Sequence, residues 1–383
     1  MITKDIFYVG VDDHKTDLFE AQFAVPNGMA YNSYLILDEK IAVMDAVSAG
    51  FEEEWLEKIK KVCGDRSPDY LVVHHVEPDH SGGVRAFAQA YPEAKIVSST
   101  KAFAMMGQFY GDVFAGRQVP VKEGDSLSLG KHTLSFFAAP MVHWPEVMVS
   151  FDSADKVLFS ADAFGKFGAL DTDEDWACEA RRYYFGIVGK YGSQVQTLLK
   201  KVQTCAPEII CPLHGPVLKE DLEKYIGLYQ TWSSFEPENR GVLIAYTSVY
   251  GNTEKAARLL EQELIARGCE KVVLCDLVRS DMAEAVEDAF RYSHLVLAST
   301  TYNGDVFPVM RHFLEHLAEK FYSRRTVSFM ENGSWAPTAA KVMRALLEKC
   351  KDLTFTENNV RILSALSDES REQIRALAKE IKP

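Results

Sequence analysis

Two different patterns of apolar and polar positions divide the chain. From Gly241 onward, short and nearly all-apolar runs alternate with amphipathic stretches. GVLIAY is followed by a helical pattern over Thr253–Arg267, KVVLCD by one near Met282–Phe290, and HLVLAST by one over Val309–Phe321. TVSFME then leads to a helical pattern over Thr338–Cys350, and a last helix begins at Ser370. Runs apolar on both faces suit strands covered on both sides of a parallel sheet. Strand–helix alternation of this kind predicts an α/β doubly wound parallel sheet, with a ligand crevice outside the carboxyl ends of its strands.

The first 230 residues follow another rule. AYNSYLILDEKIAVMD and DSLSLGKHTLSFFAAP read as hairpins turning at Asp38-Glu39-Lys40 and Gly130-Lys131. Helical patterns intervene at Glu52–Val62, Val84–Tyr91 and Ser193–Val202. Such a mixture predicts an α+β unit, two packed sheets with outer helices. Between the two regimes, Trp232-Ser-Ser-Phe-Glu-Pro-Glu-Asn-Arg-Gly241 lacks periodicity and reads as a linker. Two domains are therefore expected, 1–236 and 237–383, which suits a 383-residue chain at roughly 100–200 residues per domain.

Composition narrows the function classes. Forty-two Lys and Arg against 55 Asp and Glu give a net charge of −13, which argues against nucleic acid or an anionic membrane as partner. No apolar run approaches the 18 or so residues of a membrane helix, and the N-terminal stretch offers no apolar core for a signal peptide. The 7 cysteines form no CxxC pair, so neither a disulfide framework nor a thiolate metal knuckle is expected. A reducing, cytoplasmic location is the expectation.

The chemistry begins at Leu71-Val-Val-His-His75-Val-Glu77-Pro-Asp79-His80-Ser-Gly-Gly83. A strand-like run ends just before a proline. In an extended chain, residues 75, 77 and 79 share one face. Four ligand-capable side chains in six residues make a poor core and a good metal cradle. Three more follow, each after an apolar stretch: His143, Asp162 and His214. A hydrogen-bonded histidine with no further role is the reading for His74 (which points to the face opposite His75) and for His14, His132, His294, His312 and His316. For the seven together, coincidence would have to produce a complete pattern.

H-x-E-x-D-H with a distant His, Asp and His resembles the metallo-β-lactamase fold, whose hydrolases usually carry H-x-H-x-D-H and bind zinc. Glu77 stands where those hydrolases have a second histidine. With the doubly wound second half, that variant resembles the flavodiiron proteins (A-type flavoproteins) along essentially the whole chain. The resemblance implies a non-haem diiron centre: His75, Glu77 and His143 on one iron, Asp79, His80 and His214 on the other, and Asp162 bridging. His80 is the least secure of these, since some members leave that position unligated. Four imidazoles and three carboxylates without a thiolate suit two irons, and +4 against −3 leaves one hydroxide to neutralise the centre.

In the second half, Thr247-Ser248-Val249-Tyr250-Gly251-Asn252-Thr253 leads from a strand into a helix. Backbone N–H groups and the positive helix end there suit a phosphate, and no P-loop lysine is present for a triphosphate. The loop resembles that of flavodoxins, which implies FMN. Thr301-Tyr302-Asn303-Gly304 and Asn332-Gly333-Ser334-Trp335-Ala336 lie at matching strand ends, so Tyr302 and Trp335 are the candidates to stack on the flavin ring.

By this resemblance the chain is an oxidoreductase that reduces dioxygen to water, nitric oxide to nitrous oxide, or both. The family also implies a head-to-tail homodimer and a separate electron donor, such as rubredoxin or a reduced deazaflavin, because no CxxC pair follows the flavin domain. Trp144 and Tyr184 stand as pocket or packing residues without a firm role. Two rival readings are a lactamase-fold zinc hydrolase with an accessory flavin domain, and a flavodoxin-type carrier whose first domain is only a scaffold.

Overall fold

A computed structural model describes residues 1–381. Its contacts divide the chain into two compact units, Met1–Gln230 and Thr231–Pro383. No helix among the described residues is long and apolar enough to cross a membrane.

The first unit is built on two sheets. One has six strands in the order Ile6–Tyr8, Tyr34–Leu37, Ile41–Met44, Tyr70–Val72, Lys95–Ser99, Gln118–Val121. The other has five, in the order Ser126–Ser128, Thr133–Ala138, Met148–Asp152, Val157–Phe159, Ile209–Cys211. Both hairpins read from the sequence form, with Leu37 opposite Ile41 and Ser128 opposite Thr133. Ile36, Met44, Val72 and Val97 of one sheet share a buried cluster with Phe136, Met148 and Phe159 of the other. Burying each such side chain stabilises the unit by roughly 1.5–3 kcal/mol, so this shared layer joins the sheets into a sandwich. Helices Glu52–Cys63, Val84–Ala90 and Gly192–Cys205 occupy the stretches expected to be helical.

The strand at the metal segment is shorter than its apolar run implies. It covers only Tyr70–Val72, and the chain turns helical at Pro78–Ser81 with Glu77 as N-cap. Proline has its φ preset for the first helical turn, so the expected single extended face of 75, 77 and 79 breaks at residue 78. The linker is shorter as well. Helix Leu222–Ser233 runs into it and a strand opens at Asn239. Unpatterned composition misled there, because Trp232 is a buried helix residue.

The second unit has a parallel sheet in the order Val272–Asp276, Asn239–Tyr246, Tyr292–Tyr302, Thr326–Asn332, the last strand pairing with both Thr354–Phe355 and Val360–Ile362. Order 2-1-3-4-5 is that of flavodoxin-like sheets, with a switch point beside the first strand. Helices Asn252–Ala266 and Asp368–Glu380 close the core cluster that contains Ile244, Leu260, Val296 and Ile374.

Candidate functional site

The seven predicted metal residues come together from four separate segments of the first unit. His75 and Glu77 precede the proline turn, and Asp79 and His80 lie within it. His143, Asp162 and His214 follow the strands ending at Ala138, Phe159 and Cys211. Their ligand atoms form two groups, His75–Glu77–His143–Asp162 and Asp79–His80–His214.

In the first group, His75 Nε2 is 3.1 Å from Glu77 Oε2, 3.3 Å from His143 Nε2 and 3.3 Å from Asp162 Oδ2. In the second, His80 Nε2 is 3.0 Å from His214 Nε2, 3.1 Å from Asp79 Oδ2 and 3.2 Å from Asp162 Oδ1. Asp162 thus turns one oxygen to each group. Atoms bound about 2.1 Å from one cation lie about 3.0–3.4 Å apart, and these spacings fit. The Asp79 and Asp162 oxygens are buried without a hydrogen bond, although imidazole nitrogens surround them. Orphaned carboxylates and mutually facing imidazole nitrogens call for cations between them.

Partners behind the ligands set the tautomers. His75 Nδ1–H donates to Glu146 Oε1 at 2.8 Å, and His214 Nδ1–H donates to the Ala30 carbonyl at 2.7 Å. With the proton on Nδ1, each ring presents its Nε2 lone pair to the centre. His74, by contrast, turns to Asp45 and Ser150, at 2.5 and 2.8 Å, as a fully buried structural network.

The electrostatics have one sign. Burial alone raises a carboxyl, yet the facing imidazoles hold Glu77, Asp79 and Asp162 below the usual range. Burial alone lowers an imidazole, yet Asp79 and Asp162 carry His80 up to about 10, and Asp162 and Glu77 carry His143 up to about 9. Three buried carboxylates therefore keep their charge and demand positive charge, which two divalent ions supply better than shared protons.

Sequence reading missed Glu146, Tyr183 and Glu20 here. Glu146, the fixed partner of His75, sits only three positions after His143, and a carboxylate so close to a ligand histidine was the available signal. Tyr183 packs its ring 5.4 Å from His214, whereas Tyr184 packs on Phe185 and Tyr229. Trp144 meets His75 edge to face at 5.2 Å. Glu20 is raised to about 7 by desolvation and by the charge of Glu77, and nothing in its local sequence announced it.

In the second unit, a cleft of about 250 Å³ lies at the strand ends. Ser248, Val249, Tyr250, Asn252 and Thr253 line it from the first loop, Thr301 and Tyr302 from the second, and Asn332, Gly333, Ser334 and Trp335 from the third. Thr300 and Ser364, not foreseen, line it too. Thr247 lies behind, bonded to the Ser299 hydroxyl at 2.8 Å. Gly251, Asn303, Gly304 and Ala336 shape the loops instead, with φ of 81°, 52°, 76° and 44°. Helix Asn252–Ala266 points its N-terminus at the cleft, where an anion is favoured. Tyr250 and Trp335 are 90% and 83% exposed, an unusual cost for free aromatics and a ready surface for a flat ring.

A lactamase-like sandwich with a seven-ligand dimetal cradle, followed by a flavodoxin-like sheet with a phosphate loop, defines a class of two-domain redox flavoprotein. The family comparisons agree. Residues 29–215 match the ODP family beta lactamase model and residues 243–379 a flavodoxin domain model. The chain is 31% identical over 360 residues to the nitric oxide reductase of Moorella thermoacetica, covering 91% of this chain and 90% of that one. It is 30% identical to the rubredoxin-oxygen oxidoreductase of Megalodesulfovibrio gigas, covering 97% and 94%. The flavodiiron protein from Giardia intestinalis superposes with a TM-score of 0.92 at 25% identity, covering 99% of this chain and 95% of that one. This chain belongs to the flavodiiron protein family, and it is an oxidoreductase.

Proposed function

We propose that the chain reduces dioxygen to water, nitric oxide to nitrous oxide, or both, at a diiron centre fed by FMN. When bound, the two irons and the flavin supply the redox chemistry, two electrons each, matching the four that one dioxygen needs and exceeding the two for a pair of nitric oxides. His75, Glu77 and His143 would hold one iron and Asp79, His80 and His214 the other. Asp162 would join them, and that split carboxylate is the observation the reading rests on. Glu146 and the Ala30 carbonyl orient the two histidines they touch. Tyr183 and Trp144 wall the pocket with aromatic surface that keeps bulk water from the ligands.

In the second unit, the loop 247–253 would hold the FMN phosphate on backbone N–H groups and the helix end. Tyr302 and Trp335 would flank the ring. A protein such as rubredoxin, or a reduced deazaflavin, would serve as electron donor, and a head-to-tail homodimer would bring the flavin of one subunit beside the irons of its partner. A domain boundary at 236/237 would fall between helix Leu222–Ser233 and the strand opening at Asn239, a few residues beyond the division at Gln230 that the contacts give.

Anaerobic gas-consumption assays with chemically reduced rubredoxin, run separately with dioxygen and nitric oxide, test the reading. Uptake of at least one gas, abolished in Asp162→Asn, supports it. An iron-free, zinc-loaded native protein with no gas uptake would overturn it.

A further inference from the structure

Helix Pro308–Glu319 of the second unit buries Met310, Phe313, Leu314 and Leu317. The side turned from that core carries His312, exposed, and His316, half-buried, one helical turn apart. Residues four apart on a helix are surface neighbours, and here the two rings meet. Their centroids are 4.3 Å apart at 70°, and the Nε2 atoms are 3.0 Å apart.

Two imidazoles gain little from facing each other in this way. One N–H···N hydrogen bond on an open surface competes with water. Among the described residues no carboxylate lies within ion-pair distance of either ring. Glu315 turns to Arg311 at 3.6 Å, and Arg311 holds Asp305 at 2.6 Å. The Nε2 separation is that of neighbouring ligands on a single ion about 2.1 Å from each. Two histidines at i and i+4 on one helical face form a ready chelate whose spacing the backbone fixes in advance. Neither residue lines the flavin cleft.

We propose that His312 and His316 form a surface metal site, separate from the diiron centre, that takes one borderline divalent transition cation. Imidazole-only ligation selects copper(II), nickel(II) or zinc(II) over calcium or magnesium, with copper(II) the tightest, and water fills the remaining positions. The ion pins the second and third turns of a helix whose N-cap, Phe307, packs its ring on Tyr302 of the flavin loop at 5.5 Å.

Calorimetric titration of untagged, oxidised, iron- and flavin-loaded protein with nickel(II) is the test. One equivalent is expected to bind to the wild type, and His312→Gln and His316→Gln are each expected to weaken it at least tenfold without changing iron content or flavin absorbance. Copper(II) added to the same protein is expected to show two coupled nitrogens by electron paramagnetic resonance. Nickel isotherms that are the same in wild type and both variants would overturn the proposal. So would a copper signal unchanged in them, as binding at Asp5, His132 and Asp155, the third ligand cluster, would give.

Discussion

Glu146 holds His75 from behind: its Oε1 accepts the His75 Nδ1–H at 2.8 Å and the Val76 amide at 3.0 Å. Both side chains are buried, so the carboxylate has no water to turn to and the ring has one orientation.

That pairing sets the first prediction. Glu146→Gln keeps the shape but loses the charge that supports a metal-bound imidazole. Partners of this kind are worth about 10–100-fold in metal affinity. Iron retained after dialysis against graded chelator is expected to fall accordingly while flavin content holds. Unchanged retention would show that Glu146 only packs.

The split carboxylate makes a stoichiometric prediction. Asp162→Asn removes charge from both groups and is expected to leave less than one iron per chain. His80→Asn disturbs only Asp79–His80–His214 and is expected to leave about one. Metal analysis of protein purified without air distinguishes them, and equal losses in both variants would refute the two-group reading.

At the flavin cleft, Trp335 is nearly free of protein contacts at 83% exposure. Trp335→Ala is therefore expected to cost the fold little and FMN affinity about tenfold, the scale of one aromatic stack. Fluorescence titration of the FMN-stripped protein reads this directly.

His294 gives a pH dependence within the second unit. Burial holds its imidazole down at about 4, with Nε2 at 2.8 Å from the Ser328 hydroxyl. The unfolded chain takes its proton near 6.5 and the folded chain near 4, so stability is full above about 6.5 and is lost as pH falls through that window. Between pH 7.5 and 5.5 the loss is about 1 kcal/mol. Urea unfolding of the second unit, followed by flavin release, is expected to show a smaller pH difference in His294→Gln. An equal difference in both proteins would refute the assignment.

Much of the site was legible in the chain. Glycine at 251, with φ of 81° beside a helix N-terminus, and the six-residue His–Glu–Asp–His segment are local features, and local features survive in a sequence. The order of strands and helices was also legible, because each element writes its own periodicity. Element ends were less so: the strand Tyr70–Val72 stops short of its apolar run, and the chain then carries His75 and Glu77 into the proline turn at Pro78–Ser81.

Which side chains could bind metal or phosphate was thus fixed by residue type and short-range spacing. Which of them share an ion was decided only by packing. His75 and His143 stand 68 residues apart, yet their nitrogens lie 3.3 Å from one another. His312 and His316 looked inert in the sequence because a pair of histidines has no meaning until the helix turns both rings to one side. Chain connectivity carries periodicity, whereas convergence of distant atoms is imposed by the shape of the sandwich and sheet that bury them.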